Sequence, residues 1–285
     1  MSRVINFMLS DQPHLPNLVV ALSTLRQHFD GEVWVYGFPQ SIEIVKQVCA
    51  DPVLDAKPLL WEPSWPGRNC QPIERIIMMN TPGPELRLYL DADVIVVGDP
   101  SPLFTMAEPK GMAFTQFCSW TCQQGIIQRR LKGLLEFPQL NQKHLARVIA
   151  SNYPSVNCGV YACRPEHPSL PVWRDYTISA RNSFIADETT NHILLSEFEG
   201  QYAIADGRYN ASHKYYRGSV PPVILHCHGD SAWRPSKSPE AARQWWEVYD
   251  SCIEQNVGNI QNWKDSFHKS RWMRSCEREL RKAPR

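Results

Sequence analysis

Residues Leu86 to Val97 read LRLYLDADVIVV, an almost unbroken apolar run that holds two carboxylates. Runs of this kind belong to strands covered on both faces, so the chain has to supply a layer on each side of a sheet. The flanking sequence supplies them. Val4 to Leu9 and Glu32 to Tyr36 (EVWVY) read as strands. Between them, Leu15 to His28 carries Leu18, Val19, Leu22 and Leu25 at helical spacing and closes at Asp30-Gly31. Ser41 to Cys49 reads as a second helix, with Ser41 as its N-cap. Strands and helices alternate from the start, which predicts an α/β layer fold with a mainly parallel sheet.

Further along, residues 101–155 show a turn at Pro109-Lys110-Gly111 and a helix through Lys143 to Ala150. Val156 to Ala162 is a strand, Pro171 to Ala180 and Glu188 to Phe198 are helices, and Pro222 to Cys227 is a last strand. Pro239 to Gln255 is again helical. No Ser/Gly-rich or Pro-rich linker divides the chain, and nothing repeats at solenoid periods. The predicted organisation is one catalytic-size domain over 1–235 and a C-terminal helical, basic tail over 236–285.

Composition narrows the function classes. A chain of 285 residues with 30 Lys+Arg against 29 Asp+Glu is nearly neutral, unlike domains that coat nucleic acid. No stretch approaches the ~18–20 apolar residues that span a bilayer. The opening MSRVINFMLSDQPHLP lacks the pattern of a secretory signal. Nine scattered cysteines, an odd number, fit reduced thiols and a cytoplasmic setting better than a disulfide framework. Cys118 and Cys122 with the His226-Cys227-His228 run lack the paired spacing of a structural zinc site. Residues 264–285 hold eight Lys/Arg and three Asp/Glu with interspersed aromatics, a composition suited to peripheral contact with an anionic membrane.

Asp91-Ala92-Asp93 carries the chemistry. In an extended segment, side chains at i and i+2 point the same way, so both carboxylates are expected on one side with small Ala92 between them. Two anions in an apolar run are costly unless a cation joins them, and paired carboxylates suit Mg²⁺ or Mn²⁺. His226, after the apolar Val223-Ile224-Leu225, can complete such a site, and His228 is the alternative. Asn157 opens a strand beside Gly159, where an amide can meet sugar hydroxyls. Asp187-Glu188 starts a helix, as a cap, a ligand contact or both.

These blocks, YLDADVIV with Gly98-Asp99-Pro100, then NCGVY, ADE, GRYN (Gly207 to Asn210) and LHCHG, resemble family 8 glycosyltransferases over about residues 3–235. The resemblance implies the GT-A fold, a Rossmann-like mixed sheet flanked by helices. It implies a nucleotide-diphospho-sugar donor, UDP-sugar above others, with Mn²⁺ or Mg²⁺, and transfer to a glycan or lipopolysaccharide-type saccharide with retention of configuration. By similarity, Asp91, Asp93 and His226 are the metal ligands, and Gly229 stands at the family's His-x-x-Gly spacing. Asn157 and Ala92 face the donor, Asp187 and Glu188 face sugar and acceptor, Asp11 reads the nucleobase, and Arg75 is the donor-side cation. The family's Lys-Pro-Trp block is replaced by Asp230 to Trp233, which leaves Arg234 or Lys237 as the diphosphate cation; Thr189 stands where relatives carry a second Asp. Two other readings keep the fold. A sugar nucleotidyltransferase would carry a Gly-rich basic loop after the first strand, which Leu9 to Pro13 lacks. A non-catalytic sugar-binding protein would not need the intact acidic pair and His226.

Overall fold

A computed structural model describes residues 1–11, 14–65, 71–212, 214–228 and 239–265. Its first half follows the sequence pattern closely. Strand β1 (Arg3–Leu9) leads into α1 (Leu15–Arg26), β2 (Glu32–Gly37), α2 (Ile42–Cys49) and β3 (Lys57–Leu60). Helix α3 (Gln71–Met79) precedes β4 (Leu86–Leu90) and the short β5 (Val94–Val96). Then come α4 (Pro102–Ala107), β6 (Met112–Thr121), α5 (Gly125–Gly133), α6 (Gln142–Ala150) and β7 (Pro154–Cys163). Helices α7 (Ser169–Ser179) and α8 (Ala186–Glu197) are followed by β8 (Ala203–Ala205), a 3₁₀ turn at Gly207–Asn210, β9 (Ala211–Ser212), β10 (Ile224–His226) and α9 (Pro239–Gln255).

Seven strands form one sheet in the order β3-β2-β1-β4-β7-β6-β8, and β5-β10-β9 form a small second sheet. The β1–β2, β2–β3, β1–β4 and β6–β8 pairs are parallel, whereas β7 runs antiparallel to both β4 and β6. The sheet is therefore mixed, as expected, with one reversed strand at its centre. Every residue of β4 is buried. One apolar cluster lies on the α1, α2 and α9 side, and another lies on the side of α3 and α5 to α8. Helix α1 is apolar nearly all round because it is covered twice, by the sheet and by α9, with ten of its twelve residues buried. Trp245 and Tyr249 of α9 stack at 4.8 Å and join the α1 cluster, and Gly258 N–H donates to Asp51 Oδ2 at 2.6 Å. Among the described residues no helix is long and apolar enough to cross a membrane.

Two local expectations are corrected, and a strand appears where none was predicted. The run Leu86 to Val97 is not one strand. It breaks at Asp91–Asp93 into β4, in the large sheet, and β5, in the small one. Ser41 occupies the N-cap position of α2, but its hydroxyl donates to Leu9 O at 2.7 Å and Phe38 O at 3.2 Å and does not cap the helix. Finally, β6 pairs with β7 in a segment whose sequence shows no clear period, because the strand is interrupted by irregularities after Phe114 and after Gln116.

Candidate active site

The chain leaves β1 on one side for β2 and β3 and later returns on the other side as β4. This is a topological switch point, and ligands of open α/β sheets bind beyond strand carboxyl ends at such points. A cavity of about 410 Å³ opens there, lined by Ser10 after β1, Asp91 to Asp93 after β4, and residues of α3, β7, α8 and β10.

The two carboxylates converge by a different route from the one the sequence suggested. Asp91 to Asp93 is a turn, not extended backbone. Its ends are pinned by Asp91 N–H to Gly159 O at 2.7 Å and by Cys227 N–H to Asp93 O at 2.9 Å. Antiparallel pairing of β10 with β5 then sets His226 opposite Val94. His226 Nε2 lies 3.7 Å from Asp91 Oδ2 and 3.4 Å from Asp93 Oδ1. One ligand atom from each of the three residues falls within 4.8 Å of the others. The His228 ring stacks on the His226 ring at 4.1 Å and also lines the cavity, so the structure places His226 rather than His228 in the triad.

The donor set, two hard carboxylates and one imidazole, fits Mn²⁺ or Mg²⁺. The surrounding backbone fits as well. A Cβ on Gly159 would run into His226 Cε1 and lie 2.6 Å from Asp91 Oδ2, so any side chain here would invade the triad. Burial works against a charged His226, but Asp93, and after it Asp91 and Glu188, hold its pKa above the ordinary histidine value. A cation in the triad would take over the role of that proton.

Asn210 orients the histidine. Its Nδ2 donates to Thr115 Oγ1 at 2.8 Å and Asn157 Oδ1 at 2.9 Å, which leaves Oδ1 to accept from His226 Nδ1–H at 2.7 Å. Nδ1–H is thereby assigned to Asn210, and Nε2 is left facing the carboxylates, where it carries a proton toward Asp93 or would give its lone pair to a metal ion. Asn157 Oδ1 also accepts from Gly159 N–H at 2.8 Å, so both asparagines belong to one buried network. Replacing Asn210 with Ala is expected to weaken Mn²⁺ affinity by about 10–100-fold while the fold persists. Isothermal titration checks this, and unchanged affinity would refute the orienting role.

Helix α8 contributes Asp187 and Glu188 from its first turn. Its N-cap is Ile185, and the two acidic side chains reach arginines instead of capping the helix. Arg75 Nη2 meets Asp187 Oδ2 and, at 2.6 Å, Cys158 Sγ, while Nη1 meets Asp91 Oδ1 at 2.8 Å. Arg75 thus bridges the Asp91 turn and α8. Its own burial opposes the charge, but Cys158 and Asp91 hold its pKa well above the usual value. Arg130 Nη1 meets Glu188 Oε1 at 2.7 Å. Burial raises the Glu188 pKa above the ordinary range, with Arg130, His226 and Arg75 pulling the other way. His192, driven neutral by burial with a pKa lowered to about 4, accepts Val156 N–H at 3.1 Å. Its Nδ1–H donates to Glu188 O at 2.9 Å, which staples the first turn of α8 to β7.

Of the remaining sequence candidates, Ala92, Asn157 and Arg75 line the cavity. Asp11 is exposed, 3.9 Å from His14, and Ser10 and His14 on either side of it line the cavity. Gly229, Arg234 and Lys237 lie outside the described residues, as do residues 266–285 of the basic tail. The seven described cysteines are free and buried; burial raises the Cys118 pKa to about 11 and that of Cys122 to about 12. Sequence reasoning missed Arg130, which sits in the hard-to-read middle of the chain, and gave no role to Asn210, although the GRYN block contains it.

No protein-family model matches the chain, and no curated protein matches it in sequence. Solved structures do match. Mouse xyloside xylosyltransferase 1 superposes with a TM-score of 0.58 at 13% identity, over 81% of this chain and 99% of the other. The galactosyltransferase LgtC, solved with donor and acceptor sugar analogues, gives 0.58 at 16% identity, over 87% and 95%. The glycosyltransferase GlyE of Streptococcus pneumoniae gives 0.54 at 14% identity, over 90% of this chain and 64% of its own. The mixed sheet, the flanking helices and these superpositions together show that the chain has the GT-A glycosyltransferase fold.

Proposed function

We propose that this protein is a metal-dependent glycosyltransferase. In this reading it moves a sugar, a hexose by preference, from a UDP-sugar or related donor to a hydroxyl of a glycan or lipopolysaccharide-type saccharide, with retention of configuration. The observation that carries the reading is the convergence, in one cavity, of Asp91, Asp93 and His226 with Asp187 and Glu188. This happens at the switch point of a GT-A fold, a fold shared with glycosyltransferases, one of them solved with donor and acceptor sugar analogues.

Asp91, Asp93 and His226 would hold Mn²⁺ or Mg²⁺, which supplies Lewis-acid neutralisation of a leaving diphosphate. Asn210 keeps His226 Nε2 aimed at that position. As the anomeric bond breaks, positive charge grows on the sugar ring. Asp187, paired with Arg75, and Glu188, paired with Arg130, place carboxyl groups where such charge is stabilised. Ala92 leaves room for the donor, Gly159 leaves room for the triad, and Asn157 offers its amide. Arg234 is the proposed diphosphate cation and Asp11 the proposed nucleobase contact. Apolar walls from Met8, Leu9 and Ile185 limit water, which would otherwise hydrolyse the donor.

A panel of nucleotide sugars with Mn²⁺, followed for donor hydrolysis and for transfer to saccharides, tests the reading. Turnover is expected with one nucleotide class, lost in chelator, and the product anomer read by NMR should match the donor. Equal turnover in chelator would sink the metal role, and an inverted product would sink retention. Pyrophosphate release from a nucleoside triphosphate and a sugar phosphate would favour a nucleotidyltransferase instead. Donor binding with no turnover would favour a sugar-binding protein.

A further inference from the structure

A group of aromatic rings leads outward from the site. His226 stacks on His228, whose ring meets the ring of Phe117 at 5.5 Å. Phe117 in turn packs edge-on against Trp120 at 5.4 Å and 89°, and Tyr215 lies 4.9 Å from Trp120. Phe117 is buried, whereas Trp120 and Tyr215 are half-buried and reach the surface.

A regular strand could not build this group. In β6, alternation would send Phe117 and Trp120, three residues apart, to opposite faces. They meet because β6 bulges here, advancing five residues from Gln116 to Thr121 while β7 advances two. Within the bulge Cys118 has φ 57°, the left-handed region that a non-glycine side chain rarely adopts. The neighbouring turn accommodates it: a Cβ on Gly207 would lie 2.6 Å from Cys118 O, so only glycine permits the approach. Gln116 Nε2 donates to Trp120 O at 3.3 Å across the bulge. Bulges and strained residues of this kind recur beside functional sites, where they re-aim side chains. The side chain re-aimed here is Trp120.

The rim of the platform is polar. Ser119, beside Trp120 in the chain, is exposed, and the exposed Lys214 extends its Nζ over one face of the Tyr215 ring, 5.0 Å from its centroid, which leaves Trp120 as the main stacking surface. Flat apolar faces edged by donors and acceptors match a pyranose, whose C–H face is apolar and whose hydroxyls lie around the perimeter. We infer that Trp120 and Tyr215 form an acceptor subsite that stacks a pyranose ring of a saccharide, away from the hydroxyl that receives the transferred sugar. This inference rests on the proposed transferase reading and names the class of acceptor, an oligosaccharide rather than a lone monosaccharide or a small aglycone.

The test uses the labelled full-length chain on a printed glycan microarray, with and without UDP and Mn²⁺, alongside UDP titrations in solution. Wild type is expected to retain a related set of oligosaccharides. Trp120→Ala should lose about tenfold or more of that retention. Trp120→Phe should keep most of it, and Tyr215→Ala should lose an intermediate amount. UDP affinity should be unchanged in all three, which also reports that they fold. Equal retention by Trp120→Ala, or no retained glycan in a wild type that binds UDP, would overturn the subsite. Glycan retention that depends on Trp120 without any UDP binding would leave the subsite standing and overturn the donor reading.

Discussion

Mn²⁺ plus UDP is expected to raise the melting temperature of the wild type, and Asp93→Asn is expected to abolish that rise. A ligand at ~100 times its Kd adds about 2.7 kcal/mol, which for a chain of this size is a rise in Tm of about 5 °C. Asp93 supplies one of three ligand atoms and contacts His226 Nε2 at 3.4 Å. An amide in its place keeps the shape but removes the charge that binds a hard cation, so affinity should fall by at least about 100-fold, more than for loss of a group that only orients a ligand. Without metal, the variant also loses the contact of Asp93 with His226, so its own melting point is the baseline against which its ligand-induced rise is read. Differential scanning fluorimetry with and without Mn²⁺ and UDP decides the matter. A full ligand-induced rise in the variant would remove Asp93 from the metal site.

Arg75→Met is expected to destabilise the fold by about 3–5 kcal/mol, the usual effect of removing one partner from a buried ionic group. Asp187 is 1% exposed and its carboxylate depends on Arg75, as Asp91 does in part. That is a large share of the ~5–15 kcal/mol that holds a typical domain together. Adding Asp187→Asn to Arg75→Met should recover part of the loss, because the orphaned charge is then gone. Urea denaturation of both variants measures this coupling. A loss under about 1 kcal/mol for Arg75→Met would mean that water reaches Asp187 and that the bridge is not the buried clasp described here.

Much of the fold was legible because its signals are local. β1, α1, β2 and α2 each carry a local apolar run or period and need no distant partner to be recognised. β6 was not legible, since its bulges disrupt the alternation that marks a strand. The site divides in the same way. Asp91 and Asp93 stand out as two anions within an apolar run, and His226 as a histidine after an apolar strand. The clasp that surrounds them has no local signature: Arg75 meets Asp187 across 112 positions, and Arg130 meets Glu188 across 58. Asn210 is only an asparagine in a short turn until β10 brings His226 beside it.

The amino-acid order by itself determined that a buried, layered α/β sheet would form and that two carboxylates would stand at the end of its central apolar run. Burial requires apolar periodicity, and an anion in an apolar run is conspicuous wherever it occurs. Tertiary structure alone decided how those carboxylates meet. The chain turns at Asp91–Asp93 to change sheets, and β10 pairs back on β5 to deliver His226. It also decided which arginine neutralises which acid and which aromatic rings the β6 bulge brings together. Convergence of side chains from distant segments is a property of strand pairing and packing, and no window of sequence contains it.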